Sequence, residues 1–215
     1  MSRRIIGAAA VVALVATMVA TLGPGVPPVA RAASCSGWSS HTAPPPTIRV
    51  FRHATGEVDV VRFRRYTKNV LSREWISSWT ARSLRSGALM VRNYAWYQVL
   101  NWRGGVNARG ECYDIRDDVR DQVYDPSKPI YRRTARAVDA TWDWLVHRDG
   151  AIFPTYYDAG SPDHPCGANA NGTKAYQWGT QACGLEGMTA AEIVLTYYYP
   201  DVSVTTPPPP PTASP

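Results

Sequence analysis

Lysine and phenylalanine are scarce in this 215-residue chain, with three Lys beside twenty Arg and three Phe beside eight Trp and twelve Tyr. Acid is missing from the first 32 residues altogether, while Arg3, Arg4 and Arg31 lie there. With that segment set aside, 20 basic residues face 17 acidic ones, and the formal charge falls from +6 to +3. Basic runs other than Arg62-Phe63-Arg64-Arg65 are also lacking, so a nucleic-acid partner is not expected. No Cys-x-x-Cys pair occurs, which removes the usual zinc spacings, and no metal or cofactor is expected. A hydrophobic fraction of 45% excludes disorder of the whole chain. The surplus of Arg over Lys reads as the codon bias of a GC-rich bacterial genome.

What the chain does have begins with an uncharged run, Ile5 to Leu22, behind Arg3 and Arg4. Pro24, Pro27 and Pro28 follow, then Ala30-Arg31-Ala32, the small-x-small form that a signal peptidase cuts. Residues 1–32 are therefore expected to be a signal peptide, the alternative being an uncleaved anchor at the short limit of a membrane span. No second apolar run of that length exists. The expected product is secreted or cell-wall associated, bacterial, and without stable membrane insertion after cleavage. Cys35, Cys112, Cys166 and Cys183 all follow the cut, and an exported chain meets oxidising conditions. Four cysteines allow three pairings. Cys35–Cys112 with Cys166–Cys183 is preferred on sequence proximity alone.

Residues 33–46 are small and polar and end in Pro44-Pro45-Pro46, which reads as a flexible leader pinned by Cys35. Residues 204–215 form a Pro-rich tail with five consecutive prolines. The folded part is then 47–203. Within it, Ile48, Val50, Val58 and Val60 alternate with polar residues around His53-Ala54-Thr55-Gly56, a hairpin signal. Tyr66 to Trp75 reads as a short helix. Leu84, Ala88, Val91, Ala95, Val99 and Trp102 make one face of a longer helix with Thr80 as cap. Ala135, Val138, Trp142 and Leu145 predict a third helix over 130–147. Ile152 to Tyr157 reads as a strand. Thr189-Ala190-Ala191-Glu192 is a capping box opening a last helix. Hairpin and helices without βαβ alternation predict a single α+β domain.

The Trp and Tyr content favours a carbohydrate or polymer ligand, because these side chains stack on sugar rings and keep a polar tip. Glu74 ends the first short helix beside Trp75, with Trp79 further on. A carboxylate among apolar rings is poorly solvated, so its pKa should rise, which suits a general acid that later acts as base. The plainer alternative is a surface Glu paired with Arg73 or Arg82. The nearest other acids, Asp114, Asp117, Asp118 and Asp121, read as a solvated loop or as the source of a second carboxylate.

Tyr66-Thr67-Lys68-Asn69-Val70-Leu71-Ser72-Arg73-Glu74-Trp75, followed by Ala88-Leu89-Met90-Val91-Arg92-Asn93-Tyr94-Ala95, resembles the SpoIID/LytB family of stage II sporulation protein D and amidase enhancers. Asp121-Gln122-Val123-Tyr124, Ala137-Val138 with Thr141, Thr155-Tyr156-Tyr157, Trp178-Gly179-Thr180-Gln181 and Glu192-Ile193 through Tyr198-Tyr199-Pro200 continue the likeness in order, over about 48–204. The resemblance implies a secreted lytic transglycosylase of peptidoglycan. It would cleave the bond between N-acetylmuramic acid and N-acetylglucosamine with Glu74 as single acid and base, leaving anhydro-muramyl ends. It also implies Arg92, Gln122, Tyr124, Tyr156 and Gln181 as glycan-binding residues. The alternative within the family is a non-catalytic peptidoglycan-binding amidase enhancer, with a cell-wall amidase as partner. The family pattern has a catalytic Glu-Met, and the chain departs from the family at Gly87, where Gln is usual. It departs again at Asp158-Ala159-Gly160-Ser161, where a Ser-Gly-Gly-x-Thr loop is usual.

Overall fold

The computed structural model describes Cys35 and residues 37–207. The expected signal peptide at 1–32 and residues 208–215 of the tail lie outside the described residues.

The expected hairpin forms, although in its second strand it is Val61 that is buried while Val60 is 69% exposed. β1 (Thr47–Phe51) and β2 (Val58–Arg62) run antiparallel, with Thr47 opposite Arg62 and Phe51 opposite Val58. Ile48 and Val50, two apart on β1, are fully buried, as the period of a strand requires. β3 (Ile115–Arg116) joins the other side of β1 in parallel.

α1 (Phe63–Glu74) leaves β2 directly and starts three residues ahead of the expected Tyr66. It buries Phe63, Tyr66, Val70 and Leu71 and ends on Glu74. α2 (Ala81–Leu100) starts at Thr80, whose hydroxyl accepts the Ser83 N–H at 3.2 Å. The expected stripe of α2 is buried, but so are fifteen of its twenty residues. It is the central helix, with α1 and the three later helices against it. Its buried polar side chains therefore need internal partners. Asn93 donates to Phe153 O at 2.9 Å and Ser86 to Ser83 O at 2.9 Å. Trp102 lies beyond the end of α2 rather than on its stripe, and its indole donates to Tyr113 O.

The helix expected over 130–147 is shorter. α3 (Arg132–Ala140) ends before Thr141, and Leu145 opens a strand, β4 (Leu145–Arg148). The cause is Arg92 of α2. Its guanidinium takes the carbonyls of Thr141, Trp142 and Trp144, which a continuing helix would need for itself. β4 then pairs antiparallel with β7 (Val202–Thr205).

The strand expected over 152–157 shrinks to β5 (Tyr156–Asp158), parallel to β6 (Lys174–Tyr176). Upstream groups are bound elsewhere. Ile152 N–H goes to His41 Nδ1, Phe153 O to Asn93, and the Thr155 hydroxyl to Met90 O, while Pro154 has no N–H. α4 (Gln177–Leu185) and α5 (Ala190–Tyr197) complete the chain, and α5 carries the expected capping box between Thr189 and Glu192.

Cys35 pairs with Cys112 and Cys166 with Cys183. Residues of the leader also meet the domain. Ser40 O accepts the indole N–H of the fully buried Trp96, and His41 O lies 2.7 Å from His147 Nε2. Among the described residues no helix is long and apolar enough to cross a membrane.

Candidate active site

Glu74 stands where α1 stops, and two other segments close over its carboxylate. Oε1 accepts the Val123 N–H at 2.8 Å and Oε2 accepts Gln177 Nε2 at 3.3 Å. Val123 belongs to the loop after β3, and Gln177 is the first residue of α4. Burial pushes the Glu74 carboxyl above its ordinary range, and these two donors only partly offset it. Among the described residues no cation pairs with Glu74. Arg73 instead donates to Pro129 O at 2.5 Å and lies over the Tyr131 ring, and Arg82 has no hydrogen-bond or ion-pair partner among the described residues.

The carboxylate faces a cavity of about 200 Å³ walled by Val119, Asp121, Tyr157, Asp158, Ala159 and Gln177. A second cavity of about 200 Å³ shares Val119, Asp121, Tyr157 and Asp158 and extends past Tyr94, Tyr156 and Lys174. Together they make one cleft along β5, with Val119, 90% exposed, at its rim. Asp158 and Ala159 stand in the segment where the chain departs from the family loop. That departure therefore lies on the wall of the cleft.

A polar layer fixes the floor. The Tyr66 hydroxyl donates to Gln122 Oε1 at 3.0 Å. Gln122 Nε2 donates to Val91 O at 3.1 Å and to the Tyr157 hydroxyl at 3.0 Å. Burial, reinforced by nearby negative charge, holds the Tyr66 and Tyr157 phenols well above their ordinary value, so both stay neutral. The Tyr157 ring meets Trp75 edge-on, with centroids 4.9 Å apart. The Trp75 indole donates to the Thr180 hydroxyl at 3.2 Å, and Thr180 donates to Gln177 O at 2.7 Å. This chain of contacts ties the end of α1 to the start of α4. It thereby sets Gln177 against Glu74.

The five residues expected on glycan fall in different places. Tyr156 is half exposed in the cleft. Gln122 lies beneath it. Gln181 accepts the Thr80 N–H at 2.9 Å and so serves the start of α2. Tyr124 stacks on Tyr66 and borders a separate depression with Asp59, Arg62 and Arg65. Arg92 is 2% exposed beneath the end of α3, and burial pulls its pKa down to about 10. Arg92, Tyr124 and Gln181 are thus not brought together with Glu74, because each is bound to a different element.

The aspartates are not a solvated loop. Asp114 is held by Arg49, Asp117 by Arg52 and His53, and Asp118 by Arg120. Arg120, helped by its own backbone N–H, keeps the Asp118 carboxyl far below the ordinary range. Of the four only Asp121 reaches the cleft, and its oxygens already accept from Tyr94, Arg103 and the Arg116 N–H. His53, Asp117 and Asp118 place ligand-type atoms within 4.8 Å of one another, but Arg52, Arg116 and Arg120 already occupy those carboxylates. Sequence reading missed Gln177, Tyr157 and Asp158. Gln177 had a signal, since it lies one helical turn before Gln181.

A family model described as SpoIID, Stage II sporulation protein, matches residues 52–146. That span holds Glu74, Arg92, Gln122 and Tyr124 and stops short of Tyr156, Gln177 and Gln181. An uncharacterised protein of Brachyspira hyodysenteriae is 28% identical over 102 residues, covering 47% of this chain and 26% of that protein. The chain spans about a quarter of the length of the curated relative it matches.

Proposed function

We propose that the chain, which a SpoIID family model matches over residues 52–146, is a lytic transglycosylase of peptidoglycan with Glu74 as its acid and base, in keeping with the sporulation and cell-wall associations of that family. The observation that carries this reading is the partly buried Glu74 carboxyl, of raised pKa and with no cation on it among the described residues, which faces an open cleft. Two disulfides fit an oxidising site outside the cytoplasm.

In this mechanism protonated Glu74 gives its proton to the oxygen joining N-acetylmuramic acid to N-acetylglucosamine, and the C1–O bond breaks. The Glu74 carboxylate then takes the proton of the muramyl C6 hydroxyl as that oxygen bonds to C1. An internal anhydro ring forms, no water is consumed, and Glu74 ends protonated again. A hydrolase would need a second carboxylate to activate water. Asp121 has its oxygens occupied, and Asp158, the other carboxylate on the cleft wall, is paired with Lys174 at 2.6 Å. Oε2, with the longer of the two bonds at Glu74, is the oxygen suited to carry the proton. The half-exposed Tyr156 ring offers a sugar a stacking face beside it.

Purified peptidoglycan incubated with the protein should yield anhydro-muropeptides by mass spectrometry, and Glu74→Gln should yield none. Wall binding by wild type with no such product would overturn the enzyme reading in favour of a non-catalytic amidase enhancer.

A further inference from the structure

The first turns of α2 and α3 border a depression of about 200 Å³ lined by Ala81, Leu84, Arg85, Arg133, Arg136 and Ala137. It shares no lining residue with the Glu74 cleft. Arg82 precedes Arg85 by three residues and Arg132 precedes Arg136 by four, so each adds a charge to the same helix face. All five arginines are exposed. Arg133 is fixed, donating to Ser78 O at 2.9 Å and Trp79 O at 2.7 Å. Arg82, Arg85, Arg132 and Arg136 have no hydrogen-bond or ion-pair partner among the described residues.

Several arginines elsewhere are neutralised by acids. Arg49, Arg52, Arg64, Arg103 and Arg120 each meet an aspartate within 2.8 Å. At this depression no acid sits in the first turn of either helix, the place where acids are most favourable. Five positive charges here exceed the net +3 of residues 33–215. Like charges gathered round a hollow repel, and an anion seated among them relieves that repulsion.

We propose that this depression is a binding site for a polyol phosphodiester polymer and not for a nucleic acid, since no aromatic side chain lines it to stack a base. One phosphate enters between Arg85, Arg133 and Arg136, and phosphates further along the chain meet Arg82 and Arg132. Guanidinium forks match phosphate oxygens two at a time. The hollow suits a phosphate carried on a thin strand better than one held in a flat membrane surface. The charge beyond the hollow, on Arg82 and Arg132, gives further phosphates a place to bind. This site does not depend on the chemistry of Glu74, and it holds whether or not the protein cleaves glycan.

The test is a titration of the protein with poly(glycerol phosphate). Monomeric glycerol phosphate, polyglutamate of equal charge, phosphatidylglycerol vesicles and single-stranded DNA are the comparison ligands. Poly(glycerol phosphate) should bind at least about tenfold tighter than each of these, and the affinity should fall steeply with salt. Arg85→Ala with Arg136→Ala should weaken binding about tenfold and flatten the logarithmic salt slope by about 1.4, roughly 0.7 per lost contact. Arg109→Ala, a surface arginine elsewhere, and Glu74→Gln should leave binding unchanged. The side chains are exposed, so the double variant should keep the wild-type melting temperature. Equal binding of polyglutamate or monomer, preference for vesicles or DNA, or an unaffected double variant overturns the proposal.

Discussion

The indole of Trp75 lies flat against the backbone of Gly87, so close that a Cβ on residue 87 would stand 2.5 Å from Cε2 of the ring. Trp75 follows Glu74 where the resembled family pattern has Met, and Gly87, where that pattern has Gln, leaves the space that the ring fills. The exchange also brings an indole N–H to Thr180, and through it the start of α4 is held beside Glu74.

Gly87→Gln should accordingly cost about 2 kcal/mol or more, because overpacking of a filled core has no cheap escape. Adding Trp75→Met should recover most of the loss. Urea midpoints of the two single variants and the double variant test the coupling, and additive effects would contradict it.

Gln177 donates to the ionised form of Glu74 and lowers its pKa. Gln177→Ala should push the carboxyl higher still. The acid must be protonated to act, so activity falls as pH rises through the Glu74 pKa. The variant should keep its activity to higher pH than wild type. A pH profile of anhydro-muropeptide release, with an unmoved or lowered basic limb, would exclude this role.

Glu74 also sets a pH dependence of stability. Its folded pKa lies above the unfolded value, since burial disfavours the charge. Its favourable contribution is complete below about pH 4.3, the ordinary glutamate value, and is lost as pH rises through the folded pKa. Glu74→Gln should therefore melt above wild type at pH 7, and the gap should close on acidification toward pH 4. Calorimetry across that range is the check.

Arg92 distinguishes a structural from a glycan-binding role. It holds three carbonyls below α3, one of them Thr141 O at 2.9 Å. Arg92→Lys loses the fork and should cost about 3 kcal/mol or more by leaving buried groups unpaired. Under conditions where the variant is folded, its affinity for glycan strands should equal that of wild type. A normal urea midpoint with weakened glycan affinity would reverse the assignment.

The disulfide between Cys166 and Cys183 ties the loop beyond β5 to α4, across a sequence separation of 17. Replacing both by Ser should cost about 3 kcal/mol, as expected for a loop of that size. The loosened α4 also frees Gln177, so product release should fall with the stability, and reductant should lower both at least as far in wild type, since it opens Cys35–Cys112 as well.

The hairpin, α1, α2 with its Thr80 cap and the capping box of α5 were legible because their signals are local. Alternation, helical spacing and capping pairs act within a few residues. The sequence alone also put Glu74 at the end of a short helix beside Trp75, and left open whether its carboxylate is poorly solvated or paired with Arg73 or Arg82. The length of α3 and the fate of residues 152–155 were not legible. Arg92 takes the carbonyls after α3 from some 50 residues away, and Asn93, Met90 and His41 take the groups that a longer strand would have paired. Likewise only the tertiary structure brought Gln177 to Glu74, 103 residues earlier, and set Gln181 to the task of capping α2. Local spacing decides which elements form. Hydrogen-bond competition between distant segments decides where they end and which side chains share a cleft.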